Sequence, residues 1–345
     1  MKQRIITGIA LLSLLFLGSC ESKQDIMEEL DKNTQIVDVN LSVKAPEEEL
    51  QQMRSALLGD SSNSSLGGII NVDLKTQYDL RYQIAIYKIN TDGSVTQVIA
   101  PILKVEDTAK TVNFNLRLTL NHSYKAVLWV DFVPQGKEAD YHYNTQHFPN
   151  ISFSQPNNRE ILNDESRDAY YAVQEFTVGT KGIVEQIVLK RPFAKLRIVT
   201  TDWNSSTPNV DRVAITYHGC KRFTGINLLT EEGESIDLPE NAGETYKGSL
   251  SKTQKEYAQG YDLSANNRTL AIEYLMIPNQ GQIPIRLTFE SFEGDTSIAK
   301  HILTGNIPIQ RNWLTTITGN LLSKNKRKAL YEYSLQEVFP NALQE

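Results

Sequence analysis

The side chains best suited to nucleophilic, redox or metal chemistry in this sequence are two cysteines and five histidines. The histidines are His122, His142, His147, His218 and His301. His142 and His147 share the aromatic stretch DYHYNTQHF. Two ligands fall short of the three or four that a zinc site takes, so a polar surface loop is expected there and no metal site is assigned. Cys220 sits in ITYHGCKRF beside His218, Lys221 and Arg222, with no Asn or Asp partner recognisable nearby. A catalytic thiol needs a positioned and oriented base, so a small buried apolar side chain is the expectation. The sequence carries no G-x-S-x-G elbow, P-loop or dinucleotide fingerprint, and no calcium loop. Glu231 and Glu232 adjoin Gly233 and read as solvated turn residues; a carboxylate pair serves glycoside hydrolysis only across a cleft. No residue is assigned to catalysis, no cofactor is expected, and the chain is read as a non-enzyme.

The other cysteine has a different setting. Lys2 and Arg4 precede a mostly apolar run from Ile5 to Leu17, which ends at Cys20 and turns abruptly polar in ESKQD. Thirteen residues are too few for a membrane span, which takes about 20, but they suit a secretory signal. Leu17-Gly18-Ser19-Cys20 resembles the lipobox of bacterial lipoproteins. That resemblance implies diacylglyceryl transfer to the Cys20 thiolate, the strong nucleophile among side chains. Cleavage between Ser19 and Cys20 and acylation of the new amine then follow. Three acyl chains exceed the two signals that stable anchoring takes. Residues 1–19 are thus read as signal peptide and 20–34 as a charged tether. The expected location is the outer membrane, lipid-anchored and surface-exposed, or released from it into fimbriae.

These elements frame a body of ordinary composition: 345 residues, 40% hydrophobic, 22% charged, formal net charge -6. A prior of about 150 residues per domain gives two domains behind the signal. The mildly acidic balance, without a basic face, excludes nucleic acid as an expected partner. Alternation dominates the pattern. In QIVDVNLSV, Val37, Val39, Leu41 and Val43 share a face. LRYQIAIYKI repeats this with Leu80, Tyr82, Ile84 and Ile86, and TVNFNLRLTL with Val112, Phe114, Leu116, Leu118 and Leu120. YKAVLWVDFV and IVEQIVLK continue it. Period two marks half-buried strands, whose inner faces need a second sheet. Pro192 in LKRPFAKLRIVT belongs at a strand start or edge, and a fresh strand is expected from Phe193 to Thr200. Turns are expected at Thr91-Asp92-Gly93, Glu232-Gly233 and Gly294-Asp295. PEEELQQMRSALL, after Pro46, has helical spacing at Leu50, Met53 and Leu57, and NDESRDAYYAV can hold a short helical turn. The fold class is all-β: two consecutive sandwiches, residues 35–190 and 191–322, with a tail at 323–345.

The lipobox, the paired sandwiches, LKRPFAKLRIVTTD and the closing IPIQRNWLTTITGNLL together resemble fimbrillin-type lipoproteins, the subunits and accessory proteins of type V pili in Bacteroides-like bacteria. VLWVDFVP and DESRDAYYA add to the resemblance, which covers roughly residues 35–322. It implies transthyretin-like sandwiches, and removal of the first strand by a trypsin-like protease that cuts after a basic residue. A strand from a neighbouring subunit then fills the groove by strand addition. Val37, Val39, Leu41 and Val43 form the exchangeable strand on this reading, and Lys44 and Arg54 are the candidate cut sites. Arg54 lies inside the expected helix, so uncleaved anchor, tip or accessory roles stay open. The implied partners are other pilus subunits or a receptor on a host or bacterial surface. Beyond SKNKRK, residues 329–338 are compatible with a strand or a helix, either packed locally or donated to a neighbour. Asp107-Thr108-Ala109 resembles a short O-glycosylation sequon at Thr108, with an ordinary turn as the alternative. A second function is a glycan- or protein-binding lipoprotein that does not polymerise; its exposed aromatics would come from Trp203 and the tyrosines of DAYYAV and DYHYN, with Trp129 and Trp313 assigned to cores.

Overall fold

A computed structural model describes residues 35–44, 77–107, 111–154, 160–179, 184–203, 209–250, 267–278, 281–323 and 331–337. These form nineteen strands. The first nine are β1 (Ile36–Val43), β2 (Tyr78–Ile89), β3 (Val95–Glu106), β4 (Val112–Thr119), β5 (Ser123–Pro134), β6 (Tyr143–Asn144), β7 (Asn150–Phe153), β8 (Ala169–Thr177) and β9 (Val184–Ile187). The others are β10 (Phe193–Thr200), β11 (Arg212–Tyr217), β12 (Cys220–Asn227), β13 (Glu232–Leu238), β14 (Glu244–Ser249), β15 (Arg268–Met276), β16 (Ile283–Glu293), β17 (Thr296–Ile309), β18 (Trp313–Gly319) and β19 (Tyr331–Glu337). A 3-10 turn, Glu165–Arg167, precedes β8; the Asp164 carboxylate caps it by accepting from Ser166 N. The short helical turn expected in NDESRDAYYAV is therefore present, whereas the helix expected after Pro46 lies outside the described residues.

Five sheets result. The order β4-β1-β9 faces β3-β2-β5-β8, and the order β15-β10-β18-β19 faces β14-β11-β16-β17. Each facing pair encloses a core. The first contains Val39, Leu41, Val43, Leu80, Ile84 and Phe114; the second contains Leu196, Ile198, Ile215, Phe289 and Ile317. The fold is all-β and sandwich-built. The strand expected from Phe193 to Thr200 is β10. The fifth sheet, β13-β12-β7-β6, draws strands from both sides of residue 190. It encloses a third core with the second face of β2, β5 and β8, where Trp129, Tyr143, Tyr171, Phe193 and Met276 meet. Tyr143 is central to it, with ring centroids 5.1 Å from Trp129, 5.6 Å from Phe153 and 5.8 Å from Phe193.

That third core corrects one expectation. Strands β1 and β4 are half-buried as their alternation predicts, with Phe114, Leu116 and Leu118 inside and Asn113, Asn115 and Arg117 outside. Strands β2 and β5 are buried on both faces instead, because the fifth sheet covers what alternation assigns to water. The charged residues on that second face pair with each other. Arg81 and Asp131 stand directly opposite each other on β2 and β5, and both are fully buried. Arg81 Nε donates to Asp131 Oδ1 at 2.9 Å and an Nη to Oδ2 at 2.7 Å; the other Nη reaches Asp140 at 2.7 Å. Bidentate geometry of this kind lets a guanidinium enter a low-dielectric interior. The turn expected at Glu232-Gly233 falls slightly earlier: Glu231 takes the positive φ, 57°. Gly233 is the second residue of β13 instead, where a Cβ would overlap the Pro278 ring.

Breaking the Arg81–Asp131 pair from one side strands a buried charge, so Arg81→Met is expected to cost about 3–5 kcal/mol. Arg81→Met with Asp131→Leu is expected to recover most of that loss. Chemical denaturation of the single and double variants measures both, and additive losses would show that the pair is not coupled.

Candidate functional site

Among the sequence-predicted features, the first strand is the one whose surroundings make a site. Val39, Leu41 and Val43 are buried and Val37 is half-buried on the core face, while Ile36 is 54% exposed. Along one edge, β1 pairs antiparallel with β4 through eight residue pairs, Ile36↔Thr119 to Val43↔Val112. Along the other it pairs parallel with β9, Asn40↔Val184 to Val43↔Ile187. A first strand thus occupies the centre of its sheet. On the outer face Asn40 Nδ2 donates to Asn115 Oδ1 at 2.8 Å, and Asp38 lies opposite Arg117. Ladder bonds on two edges and an apolar face toward the core define a slot of fixed length and polarity. Full burial of the three inner side chains contributes about 1.5–3 kcal/mol each, which together approaches the whole stability of a typical domain, about 5–15 kcal/mol.

Both rims have β1 as their ladder partner, and each has a further anchor just beyond its end. β4 continues through Asn121 into β5, with Asn121 N donating to Val178 O at 2.8 Å. β9 has β1 as its ladder partner, but three residues later Lys190 and Tyr171 exchange two backbone bonds of 2.8 and 2.9 Å. The Lys190 ammonium also reaches Glu231 at 2.6 Å, and Glu231 accepts from the Tyr171 hydroxyl at 2.7 Å. Next along the chain, Arg191 grips Asp168 with Nε and Nη2 at 2.6–2.8 Å in a buried pair.

Lys44 follows β1 directly and is half-buried. Ser19, Cys20, Arg54 and Thr108 lie outside the described residues, so lipidation, signal cleavage, the second candidate cut and glycosylation remain expectations. Residues 331–337 are a strand, β19, paired antiparallel with β18 at the sheet edge, and Tyr331 Oη accepts from Gly305 N at 2.8 Å. Of the open alternatives for the tail, this is the locally packed strand. Among the described residues, no helix is long and apolar enough to cross a membrane.

The two motifs that anchor the family resemblance meet in space. Asp202, closing LKRPFAKLRIVTTD, accepts from the N of Leu322, the last residue of GNLL, at 3.2 Å and from Ser323 Oγ just after it at 2.7 Å; Leu321 and Leu322 are buried. The aromatics expected for a glycan-binding face are placed otherwise. Trp129, Tyr143, Tyr170 and Tyr171 are buried, and Trp203 packs half-buried on the second core, which corrects its expected exposure. Trp313 is likewise half-buried, and Tyr141 stays exposed, 6.0 Å from Tyr78. His147 is exposed, but His142 is buried, its Nε2 2.7 Å from Ser166 Oγ and 3.5 Å from Asp164. Burial holds the His142 imidazole neutral, its pKa pushed down to about 4; Asp164 opposes that shift and Arg167 adds to it. No group of three potential metal ligands comes together among the described residues. Cys220 is half-buried, and burial pushes its thiol up, away from reactivity. Sequence reasoning missed β9 as the second rim and all the buried ion pairs. Alternation in IVEQIVLK marks the β9 strand, but nothing local places it beside β1, and nothing in sequence pairs Arg81 with Asp131 or Arg191 with Asp168.

A family model described as a family of unknown function, DUF6562, matches residues 31–336. The chain belongs to that family. No curated protein matches the chain. Among solved structures, this family member is similar to a Bacteroides ovatus protein provisionally described as a cell adhesion protein, at 12% identity and TM-score 0.46, covering 88% of this chain and 98% of that one. It is similar to a fimbrial assembly protein from Parabacteroides distasonis at 10% identity and TM-score 0.41, covering 88% and 96%. It is also similar to the fimbrial anchor protein Mfa2 from Porphyromonas gingivalis at 9% identity and TM-score 0.40, covering 87% and 98%.

Two outcomes test the site's energetics. Leu41→Ala is expected to destabilise by about 2–5 kcal/mol, and Ile36→Ala by under about 0.5 kcal/mol; equal effects in urea unfolding would contradict the assigned faces. His142 has a folded pKa of about 4 against an ordinary 6.5, so the unfolded chain binds its proton first. The stability this supports is complete above pH 6.5 and falls as pH drops toward 4, by about 3 kcal/mol. His142→Gln should flatten that part of the pH dependence, and an unchanged slope between pH 6.5 and 4 would contradict it.

Proposed function

We propose that this protein is a non-enzymatic, fimbrillin-like lipoprotein: a pilus subunit or a tip or anchor accessory that acts in surface adhesion and assembly by β-strand exchange. The observation that carries the reading is the position of β1. A strand that is first in the body yet central in its sheet, paired on both edges and followed at once by Lys44, leaves a complete slot when removed. Strand addition draws affinity from ladder hydrogen bonds and register from alternate side chains, and the slot provides both. Leu17 to Cys20 supplies the route to the outer membrane, with Cys20 as the lipidated residue and the bond after Ser19 as the cleaved one. Lys44 and Arg54 are the residues after which maturation would cut. The partners are other pilus subunits or a surface receptor, and the reading needs no cofactor.

The test is intact-mass analysis and N-terminal sequencing of the protein from outer-membrane and sheared surface fractions. A polymerising subunit is expected as a sheared form starting at Ala45 or Ser55 in high-mass ladders. A species that begins only at acylated Cys20, stays with the membrane and remains monomeric would contradict polymerisation and leave an anchor or a binding lipoprotein.

A further inference from the structure

Among the described residues four arginine side chains are buried, Arg81, Arg167, Arg191 and Arg222, and buried charges are as a rule paired. Three of them are. Arg81 and Arg191 hold Asp131 and Asp168 through the same edge of the guanidinium, Nε with Nη2, and Arg222 reaches Glu273 at 3.2 Å. Arg167 makes no ion pair with any described residue. Its Nη1 lies 3.5 Å from His142 Nδ1, and its guanidinium packs over the Phe153 ring. The edge that a carboxylate fills on Arg81 and Arg191 is empty here: Nε is buried without a partner, and Nη2 has no protein partner but stays open to solvent. The acids close by in sequence are committed elsewhere. Asp168 is held by Arg191 and Glu165 by Lys195, while Asp164 accepts from the Ser166 hydroxyl and lies 3.5 Å from His142 Nε2. Because the Ser166 proton goes to Asp164, His142 donates from Nε2 to Ser166 Oγ at 2.7 Å and turns an unprotonated Nδ1 toward Arg167.

The 3-10 turn holds that empty edge in place: Asp164 caps the turn, and the Arg167 carbonyl accepts from the buried Tyr143 hydroxyl. Beside it Tyr141 is 41% exposed, its ring 4.1 Å from that of His142 and 6.0 Å from that of Tyr78. Burial, Tyr78 and Asp164 push the Tyr141 hydroxyl up to about 12 and Arg167 opposes them, so the Arg167 charge is felt at Tyr141. From this juxtaposition we infer that Arg167 and Tyr141 form a binding site for an acidic sugar, whose carboxylate docks on the Nε–Nη2 edge of Arg167 and whose pyranose ring lies on the face of Tyr141. A carboxylate matches a guanidinium edge bidentately, as Asp131 and Asp168 do on Arg81 and Arg191. A tyrosine supplies an apolar face with a polar tip, which suits a pyranose with its C–H face and hydroxyl rim. The Asp164 side chain, 34% exposed, can accept from those hydroxyls. An acidic peptide fits less well, since strand addition needs a sheet edge and β6 has two residues. The inference goes beyond strand exchange, because this site lies with the fifth sheet, on the side away from β1.

Calorimetric titration of the purified chain tests this, with glucuronic acid, glucose and acetate as probes. Glucuronate is expected to bind at least about tenfold more tightly than glucose, the share of a charge-assisted hydrogen bond. Arg167→Met is expected to lose that preference while keeping or raising Tm, because it removes an unpaired buried charge; Arg81→Met, which breaks a pair, lowers Tm. Tyr141→Ala alters an exposed side chain and is expected to weaken glucuronate binding while leaving acetate binding unchanged. Glucuronate that binds no better than glucose, or equally well to Arg167→Met, would overturn the site. A fall in Tm for Arg167→Met as large as that for Arg81→Met would overturn the unpaired state of Arg167. Binding of a tetraglutamate peptide without binding of glucuronate would overturn the choice of a sugar. Every titration uses chain that retains β1, so a failure here leaves the strand-exchange reading as it stands.

Discussion

Strand β1 satisfies three requirements of the N-terminal sandwich at once. Among the described residues it supplies the ladder of both its neighbours, β4 and β9, and three core side chains to a cluster shared with β2, β4 and β5. A backbone polar group left buried and unpaired costs about 1–3 kcal/mol, and an apolar slot open to water loses the burial of both its walls. The sandwich therefore has a strong thermodynamic demand for some strand in that position. Nothing in the ladder distinguishes one chain's backbone from another's. Identity is set by side chains at alternate positions, by the Asn40–Asn115 contact and by strand direction, because the slot is antiparallel on one rim and parallel on the other.

The remainder of the molecule keeps that demand local. The sheet β3-β2-β5-β8 is the shared wall between two cores: one face looks toward β1 and the other toward the fifth sheet and β10. Arg81–Asp131 and Arg191–Asp168 are buried pairs, and Arg222–Glu273 joins them, with Glu273 also accepting from the Tyr217 hydroxyl at 2.6 Å. Removing a partner from such pairs is costly, while their net stabilising contribution over apolar residues is small. Their consequence here is geometric: they fix how the layers sit on the side away from β1. The Lys190–Tyr171 backbone pair then holds the chain just beyond β9, so the rim has an anchor that does not depend on its ladder.

Much of this architecture is legible in the sequence where one face meets water. β1 and β4 alternate cleanly because Asn113, Asn115 and Arg117 are solvated, and β10 starts at Phe193, just after Pro192. Legibility fails where a third layer intervenes. In β5 the run AVLWV is apolar without alternation because both faces are covered, and Arg81 on β2 looks like a surface residue until Asp131 is placed opposite it. The composition of the slot, with Val39, Leu41 and Val43 inward, was readable from period two. The strand of its second rim was readable in IVEQIVLK, but its parallel pairing with β1 was not, since that partner is nearly 150 residues away in sequence. Trp203 failed for a related reason: polar neighbours in sequence say little about a side chain that folds back on the second core.

The central claim is that the N-terminal sandwich is a complete fold only with a strand in the β1 position. It is tested most directly by thermal unfolding of the chain cut after Lys44 and freed of residues 35–44, with and without synthetic IVDVNLSV. The account predicts a marked fall in Tm on removal of the strand, and recovery toward the uncut value as peptide is added. An unchanged Tm after removal, or a peptide that neither binds nor stabilises the cut chain, would contradict it.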